Sequence, residues 1–491
     1  MPFQPLAKDD VQQVLTLLKV RLADRDPDVM AALAASPASG GAPNADQAHA
    51  GLSADVDSAI SFVGAEDYQV GESFHSPNPL AGLVQAHLNA AANAIAQDDA
   101  GDALPAVVNL YGQGNAIVWA PVMVNILVEY LKPKADFVTA TDARSYIRIP
   151  DKCTIALLGD WGADNDHALR IAQQVKAVAP DYAVHLGDIY YAGNEYECER
   201  FLANWPLGNK KNSFALNGNH EMYSRGIPYF NTVLPAFGQE ASYFTLYNSN
   251  WQMHGLDTAY VPFSIDGSVP DLDSPSFWSR VLGGLHHLIP LLGHETFDLK
   301  ADARLQHQWD WLVAKITANP NSRNIFVSHN QPVSAYLPEF QAGAFLHDQS
   351  RRLREAVPNG SNAIHTWFFG HEHKCTIYSD AQTDFRARLI GNGAIPHNRQ
   401  ALVAAAKDET NTSCTPVFTM NDRTVKHDMF GLANLDLATS GFALLTLNGP
   451  DASVKYINED GSLFLEERLT GNPNEVLNWG AGYGPLQEPS G

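Results

Sequence analysis

The chain has 491 residues and carries 32 Lys and Arg against 54 Asp and Glu, which gives a formal net charge of −22 at pH 7. This length suits either one large α/β core with insertions or two to three domains. The acidic balance argues against nucleic acid as the main partner, because nucleic-acid binding needs clustered basic side chains. A small anionic ligand stays compatible, because a bound metal ion can dominate the local field.

Cysteine spacing and the N-terminal residues indicate the redox state and the location. Neither a CxxC pair nor a disulfide framework is present, and structural thiols are expected at Cys153, Cys198, Cys375 and Cys414. Met1 to Lys8 lacks the pattern of a signal peptide, and no apolar run approaches the roughly 18 residues needed to cross a membrane. We therefore expect a cytoplasmic protein without a membrane partner.

The N-terminal region, residues 1–145, is predicted to be mostly helical. Apolar residues recur at helical spacing over 11–22, and further helices are expected over 88–95 and 117–131. Residues 35–50 are rich in Ala, Gly, Pro, Ser and Asn, which is typical of a flexible stretch.

From residue 146 the pattern changes to that of an α/β domain, which we expect to extend to residue 470 before a tail over 471–491. Five short apolar runs predict buried strands, at 155–158, 182–186, 214–216, 324–327 and 366–369. Helices are predicted over 166–179 and 305–316, and an insertion over 262–300 is a candidate substrate lid. Three further strands, at 441–447, 453–458 and 462–469, are expected to form an antiparallel meander that closes a second sheet.

Each of the five predicted strands is followed at once by side chains that bind metal ions. The runs are Gly159-Asp160-Trp161-Gly162, Gly187-Asp188-Ile189-Tyr190-Tyr191, Gly218-Asn219-His220-Glu221, Phe326-Val327-Ser328-His329 and Gly370-His371-Glu372-His373. The carboxyl ends of strands are where α/β sheets bind ligands, so these side chains are expected to converge. Oxygen and imidazole donors without thiolate suit Fe, Mn and Zn.

The donors are sufficient for two adjacent ions. A bridging carboxylate holds two cations close together while partly neutralising both, and Asp188 is the candidate bridge. Asp160 and His373 then complete the first ion's ligands, and the second ion takes Asn219, His329 and His371. Two such ions side by side are a device for cleaving phosphoesters.

The order GDxG, GDxxY, GNHE, xxxH and GHxH resembles the calcineurin-like metallophosphoesterase superfamily, and within it the purple acid phosphatases. Most of that superfamily has a metal-binding His where this chain has Gly162. Purple acid phosphatases use instead a tyrosinate from GDxxY, which falls on Tyr191, although Tyr190 is adjacent and either ring can be the one that points to metal. The resemblance implies an α/β fold, a β-sandwich of two mixed sheets flanked by helices.

The resemblance also implies a mechanism. The first ion, Fe(III), would be held by Asp160, Asp188, Tyr191 and His373, and the second, an Fe, Zn or Mn dication, by Asp188, Asn219, His329 and His371. A metal-bound hydroxide would attack a phosphate monoester in line, with His220 contacting phosphate and protonating the leaving oxygen and Glu221 orienting His220.

Alternatives remain at two levels. Asp164, Asp166 and His167 are alternative ligands of the first ion in place of the tyrosine, although their position at a helix start favours capping. The expected function is that of an acid phosphatase-like hydrolase. The alternatives are a phosphodiesterase with the same metals and, less favoured, a binding protein with a vestigial site.

Overall fold

The computed structural model describes most of the chain from residue 135 to residue 483. The described residues are 135–163, 166–190, 193–260, 263–264, 295–296, 303–335, 353, 355–357, 363–381, 383, 385–395, 416–419, 424–426 and 436–483. The predicted N-terminal helices and the flexible stretch at 35–50 therefore lie outside the described residues, as does most of the insertion at 262–300.

Nineteen strands are described, and fifteen of them form two large sheets. In chain order the strands are β1 (Tyr146–Arg148), β2 (Lys152–Leu158), β3 (Tyr182–His185), β4 (Ser213–Ala215), β5 (Phe244–Tyr247), β6 (Trp251–Leu256), β7 (Phe263–Ser264), β8 (Glu295–Thr296), β9 (Arg323–Ser328), β10 (Thr366–Phe369), β11 (Cys375–Tyr378), β12 (Arg386–Ile390), β13 (Pro416–Thr419), β14 (Thr424–Lys426), β15 (Asp436–Ala438), β16 (Gly441–Asn448), β17 (Asp451–Asn458), β18 (Leu463–Arg468) and β19 (Val476–Trp479).

Both large sheets are mixed. The first has the order β19-β18-β17-β16-β2-β3-β4, with β2, β3 and β4 parallel. The second has the order β1-β5-β6-β9-β10-β12-β11-β13, and its central strands β6, β9, β10 and β12 are parallel. β7 and β8 pair with each other within the predicted insertion, and β14 pairs with β15.

Helices flank the sheets. The described α-helices are α1 (Asp142–Ser145), α2 (Asp166–Val178), α3 (Glu195–Asn204), α4 (Asn219–Tyr223), α5 (Leu234–Phe237) and α6 (Ala303–Ala318). None of the described helices is long and apolar enough to cross a membrane.

The two sheets pack face to face around a common apolar core. Alternate residues of β2 serve different layers: Ile155 and Leu157 face the core between the sheets, whereas Ala156 and Leu158 face α2 and α3. A strand buried on both faces has no polar face, which explains the continuous apolar run in its sequence. On the opposite side, Trp309 of α6 packs over the outer face of the second sheet. The predicted β-sandwich of two mixed sheets flanked by helices is confirmed.

The C-terminal strands differ from the prediction in where they pair. β16, β17 and β18 form the expected antiparallel meander, but β16 pairs with β2, so the meander extends the first sheet and does not close a second one. The prediction was wrong because hairpin signals specify neighbouring strands and leave the outer partner of the first strand open.

The sandwich also extends beyond the predicted domain limits. β19 pairs with β18, so the first sheet continues past residue 470 into the range assigned to the tail. At the N-terminal end, Ala140 packs against Ala241 and Tyr243. Contacts with the domain therefore begin before residue 146, where the domain was predicted to start.

A buried ion pair also joins the two sheets, next to the apolar core between them. The Arg388 guanidinium of β12 donates from Nε to one oxygen of Glu467 in β18 at 2.7 Å and from Nη2 to the other at 2.8 Å. Tyr456 donates to the same carboxylate at 2.7 Å, and Asp380 accepts from Arg388 at 2.9 Å. Arg388 is fully buried, so these partners supply the charge compensation that burial demands.

Candidate metal centre

The predicted ligands lie at the carboxyl ends of strands in both sheets. Asp160, Asp188 and Asn219 follow β2, β3 and β4 of the first sheet, whereas His329 and His371 follow β9 and β10 of the second. The parallel direction within each trio or pair of strands brings these ends to one edge of the sandwich. The site therefore forms where the two sheets meet.

One cluster of donor atoms contains Asp160, Asp188 and His373. The hydroxyl oxygen of Tyr190 lies 2.9 Å from Asp160 Oδ1, 3.0 Å from Asp188 Oδ2 and 2.9 Å from His373 Nε2. Ligand atoms bound at about 2.0–2.2 Å to one tetrahedral ion are themselves roughly 3.3–3.6 Å apart, slightly wider than this spacing. Four donors from four positions in the chain thus lie close together at the candidate first ion position.

A second cluster contains Asp188, His329 and His371. The Nε2 atom of His329 lies 3.2 Å from Asp188 Oδ1, 3.1 Å from His371 Nδ1 and 2.9 Å from Asn219 Oδ1. This set matches the predicted ligands of the second ion. Asp188 presents its two carboxylate oxygens to different clusters, as expected of a bridge.

Three of the candidate ligands have a left-handed backbone. The φ angle is 55° at Asp160, 73° at Asp188 and 71° at His371. Non-glycine residues seldom adopt this conformation, and where they do, strain of this kind clusters at functional sites. At each of the three, the conformation occurs where the chain turns out of a strand and the side chain enters the site.

Gly162 is required by the close approach of two loops. Its N–H donates to the Asp188 carbonyl at 3.3 Å, and its carbonyl accepts from the Tyr190 N–H at 3.1 Å. A Cβ at position 162 would lie 2.8 Å from both the Asp188 carbonyl oxygen and Ile189 Cα, closer than real Cβ atoms come. A histidine at position 162 is thus incompatible with this bridge, and the same bridge fixes the main chain of Tyr190.

Of the two adjacent tyrosines, Tyr190 belongs to the described residues and Tyr191 does not. Tyr191, the predicted phenolate ligand, lies outside the described residues, so that prediction stays untested. Tyr190 is buried with its hydroxyl in the first cluster, which is the alternative that the sequence left open. The sequence motif counts residues from Asp188 and cannot show which ring turns inward.

Electrostatics in the site are those of a buried acidic centre. Burial, and then the Asp188 charge, raise the pKa of Asp160 well above its ordinary value. Burial alone would raise the pKa of Asp188 too, but the surrounding histidines reverse the direction and lower it. Burial followed by the two carboxylates raises the pKa of the Tyr190 phenol, and cations at these positions would oppose that effect.

Contacts with neighbouring residues position two of the site's histidines, His329 and His220. The Nδ1–H of His329 donates to the Leu186 carbonyl at 3.1 Å, which leaves Nε2 unprotonated and directed into the second cluster. Burial lowers the pKa of His329, which favours the neutral form that binds metal. His220 lies edge-on to Tyr190 at 4.4 Å between ring centroids, with Nε2 3.7 Å from Asp188 Oδ2.

Other residues near the motifs have structural contacts instead. His167 is paired with Glu459 through Nδ1 at 2.9 Å, which accounts for it without metal. Trp161 is buried against Phe201 and Trp205. Position 164 and the side chain of Asp166 lie outside the described residues.

Glu221 takes a role that the sequence interpretation missed. Its carboxylate accepts from the main-chain N–H groups of Gly218, Asp188 and Ile189 and makes no described hydrogen bond to His220. The available signal was its place as the third residue of α4, where Glu commonly reaches back to cap the helix start.

Two donor clusters that share one carboxylate indicate a dinuclear metal site, the centre of a metal-dependent hydrolase. Residues 153–375 match the family model for calcineurin-like phosphoesterases. They therefore form a calcineurin-like phosphoesterase domain, which spans less than half of the chain. This domain match and the two donor clusters together support a metal-dependent phosphoesterase.

The chain is also similar to solved structures, among them the following two. GAP50, the anchor in the inner membrane complex of Plasmodium, is 12% identical with a TM-score of 0.41, over 65% of this chain and 88% of its own. Purple acid phosphatase PPD1 from yellow lupin (Lupinus luteus) seeds is 12% identical with a TM-score of 0.39, over 65% of this chain and 54% of its own. No curated protein matches the sequence.

Proposed function

We propose that the chain hydrolyses phosphate monoesters with two metal ions, Fe(III) at the first position and Fe(II), Zn(II) or Mn(II) at the second. Asp160, Asp188, His373 and a tyrosine would hold the first ion. Asp188 with Asn219, His329 and His371 would hold the second. Such a pair of ions supplies an activated water and neutralises charge on the phosphoryl oxygens.

The observation that carries the monoester assignment is the Tyr190 hydroxyl among the donors of the first cluster. A phenolate together with two carboxylates suits a trivalent ion. A trivalent and a divalent ion side by side attract a monoester dianion more strongly than a singly charged diester, since Coulomb energy scales with the product of the charges.

The chain's own groups have two further tasks. Asp188, with an oxygen toward each cluster, would fix the spacing of the ions. His220 is nearly buried beside Asp188 and Tyr190, from where its imidazole can donate a proton to the leaving oxygen.

Metal analysis and paired substrates test the proposal. We expect about two ions per chain and faster hydrolysis of p-nitrophenyl phosphate than of bis-p-nitrophenyl phosphate. His371→Ala should lose one ion and most activity, whereas His307→Ala, which removes an exposed histidine of α6, should change neither. Faster hydrolysis of the diester would overturn the monoester assignment, and full activity without metal would overturn the dinuclear one.

A further inference from the structure

Glu221 is a buried carboxylate that binds main-chain N–H groups of two different loops. Its side chain is fully buried at 0% exposure. Oε2 accepts from Gly218 at 3.0 Å and from Asp188 at 3.1 Å, and Oε1 accepts from Ile189 at 3.1 Å. Gly218 ends the loop after β4 and directly precedes Asn219 and His220 at the start of α4, whereas Asp188 and Ile189 belong to the loop after β3.

The contact between the two loops is reciprocal. While Glu221 accepts the Asp188 N–H, the His220 N–H donates to Asp188 Oδ1 at 3.2 Å. The approach is so close that a Cβ on Gly218 would lie 2.3 Å from Asp188 Oδ1 and 2.5 Å from Asp188 N. Main chain and side chain of Asp188 are therefore both held from α4.

These bonds bear on the one residue common to both donor clusters. Asp188 has a left-handed backbone with φ of 73°, a conformation that requires support from its surroundings. The N–H bonds to Glu221 supply that support at Asp188 and at Ile189. Ile189 is in turn bridged to Gly162, next to the Tyr190 N–H that bonds the Gly162 carbonyl.

We propose that Glu221 is a positioning residue that sets the bridging carboxylate of Asp188 between the two ions. The proposal rests on the proposed dinuclear function and adds a residue that contacts neither ion nor substrate. Because Asp188 belongs to both clusters, displacement of its main chain weakens both ion positions together. If Glu221 merely stabilised the fold, its replacement would lower the free energy of unfolding and leave the metal affinity of the folded protein unchanged.

The principal test is Glu221→Gln, which keeps the side-chain volume but replaces one acceptor oxygen with an N–H₂ donor facing main-chain N–H groups. Loaded with Mn(II), this variant should bind both ions 10- to 100-fold more weakly, the range of conserved outer contacts in metal sites. Exchange coupling between the two Mn(II) ions, measured by electron paramagnetic resonance at saturating metal, should also change because it depends on the bridge. The value of kcat should fall more than KM rises.

Glu459→Gln is the matched control, because Glu459 is an equally buried carboxylate whose described partners, among them His167, lie outside the two clusters. It should lower the unfolding midpoint without changing Mn(II) affinity or coupling. Wild-type affinity and coupling in folded Glu221→Gln would overturn the proposal. Failure of the wild-type protein to bind two ions would instead overturn the proposed function.

A measurement on the wild-type protein keeps the proposal testable should Glu221→Gln not fold. Hydrogen exchange followed by mass spectrometry reports the amides of residues 186–190 in metal-free protein. If Glu221 holds this loop, the Asp188 and Ile189 amides stay protected without metal. Exchange at the rate of an unstructured peptide would contradict the proposal.

Discussion

Replacement of Tyr190 by Phe tests which tyrosine enters the metal centre. In metal-free protein the change removes a hydroxyl that contacts two buried carboxylates and one imidazole. Hydrogen bonds to charged groups contribute about 1.5–3 kcal/mol, so we expect the free energy of unfolding to fall by about 2 kcal/mol. The affinity of the first ion should fall by more than about 100-fold, since loss of outer contacts alone costs 10- to 100-fold.

The assay uses iron-loaded protein, because a phenolate bound to Fe(III) gives a visible charge-transfer band. Tyr190→Phe should abolish the band while the second ion stays bound, and Tyr191→Phe should retain it. Urea unfolding of both metal-free variants measures the change in stability. A band that survives in Tyr190→Phe and disappears in Tyr191→Phe would refute the assignment from the structure and restore the register of the motif.

Three further changes have defined outcomes. Gly162→Ala places a Cβ 2.8 Å from main-chain atoms of the Asp188 loop. Because of this overpacking, we expect the free energy of unfolding in urea to fall by about 1–3 kcal/mol and the first ion to bind more weakly. An unchanged metal titration would contradict this prediction. Arg388→Met removes the charge partner of Glu467 and leaves the Glu467 carboxylate buried, so the free energy of unfolding should fall by about 3–5 kcal/mol. A fall of less than about 1 kcal/mol would show that the ion pair adds little to stability. Burial lowers the pKa of His185 to about 3, below the ordinary value that it regains on unfolding, so stability should decrease as pH falls from about 6.5 toward 3. His185→Phe should reduce this dependence by up to about 1.4 kcal/mol per pH unit, and an unchanged slope in urea unfolding would refute the cause.

The parts of the fold that could be predicted are those whose burial leaves a local pattern. The run at 155–158 lies within β2, which is apolar because both of its faces are covered. The helix predicted over 166–179 is α2, Asp166–Val178, and the one over 305–316 lies within α6, Ala303–Ala318. The order of ligand motifs could be predicted for the same reason, since each one directly follows such a strand.

Pairings between distant strands and ring orientations could not be predicted. Nothing local shows that β16 pairs with β2, because that contact joins segments almost 300 residues apart in the chain and depends on which sheet edge is free. The inward turn of Tyr190 depends on the bridge between Gly162 and Ile189, which is a contact between loops. Glu221 likewise bonds N–H groups more than thirty residues away, so its sequence position indicated only a helix cap.

The division of ligands between the sheets has a consequence for stability. The first cluster combines Asp160 and Asp188 from the first sheet with His373 from the second, and the second cluster combines Asp188 with His329 and His371. Each ion would thus connect both halves of the sandwich at its open edge, while Arg388 and Glu467 connect them elsewhere. Without cations, Asp160, Asp188 and Glu221 are carboxylates buried close to one another, and burial with mutual repulsion raises the pKa of Asp160 and Glu221. Metal binding relieves this repulsion in the folded state alone, so it adds to the stability of the whole domain as well as to its chemistry.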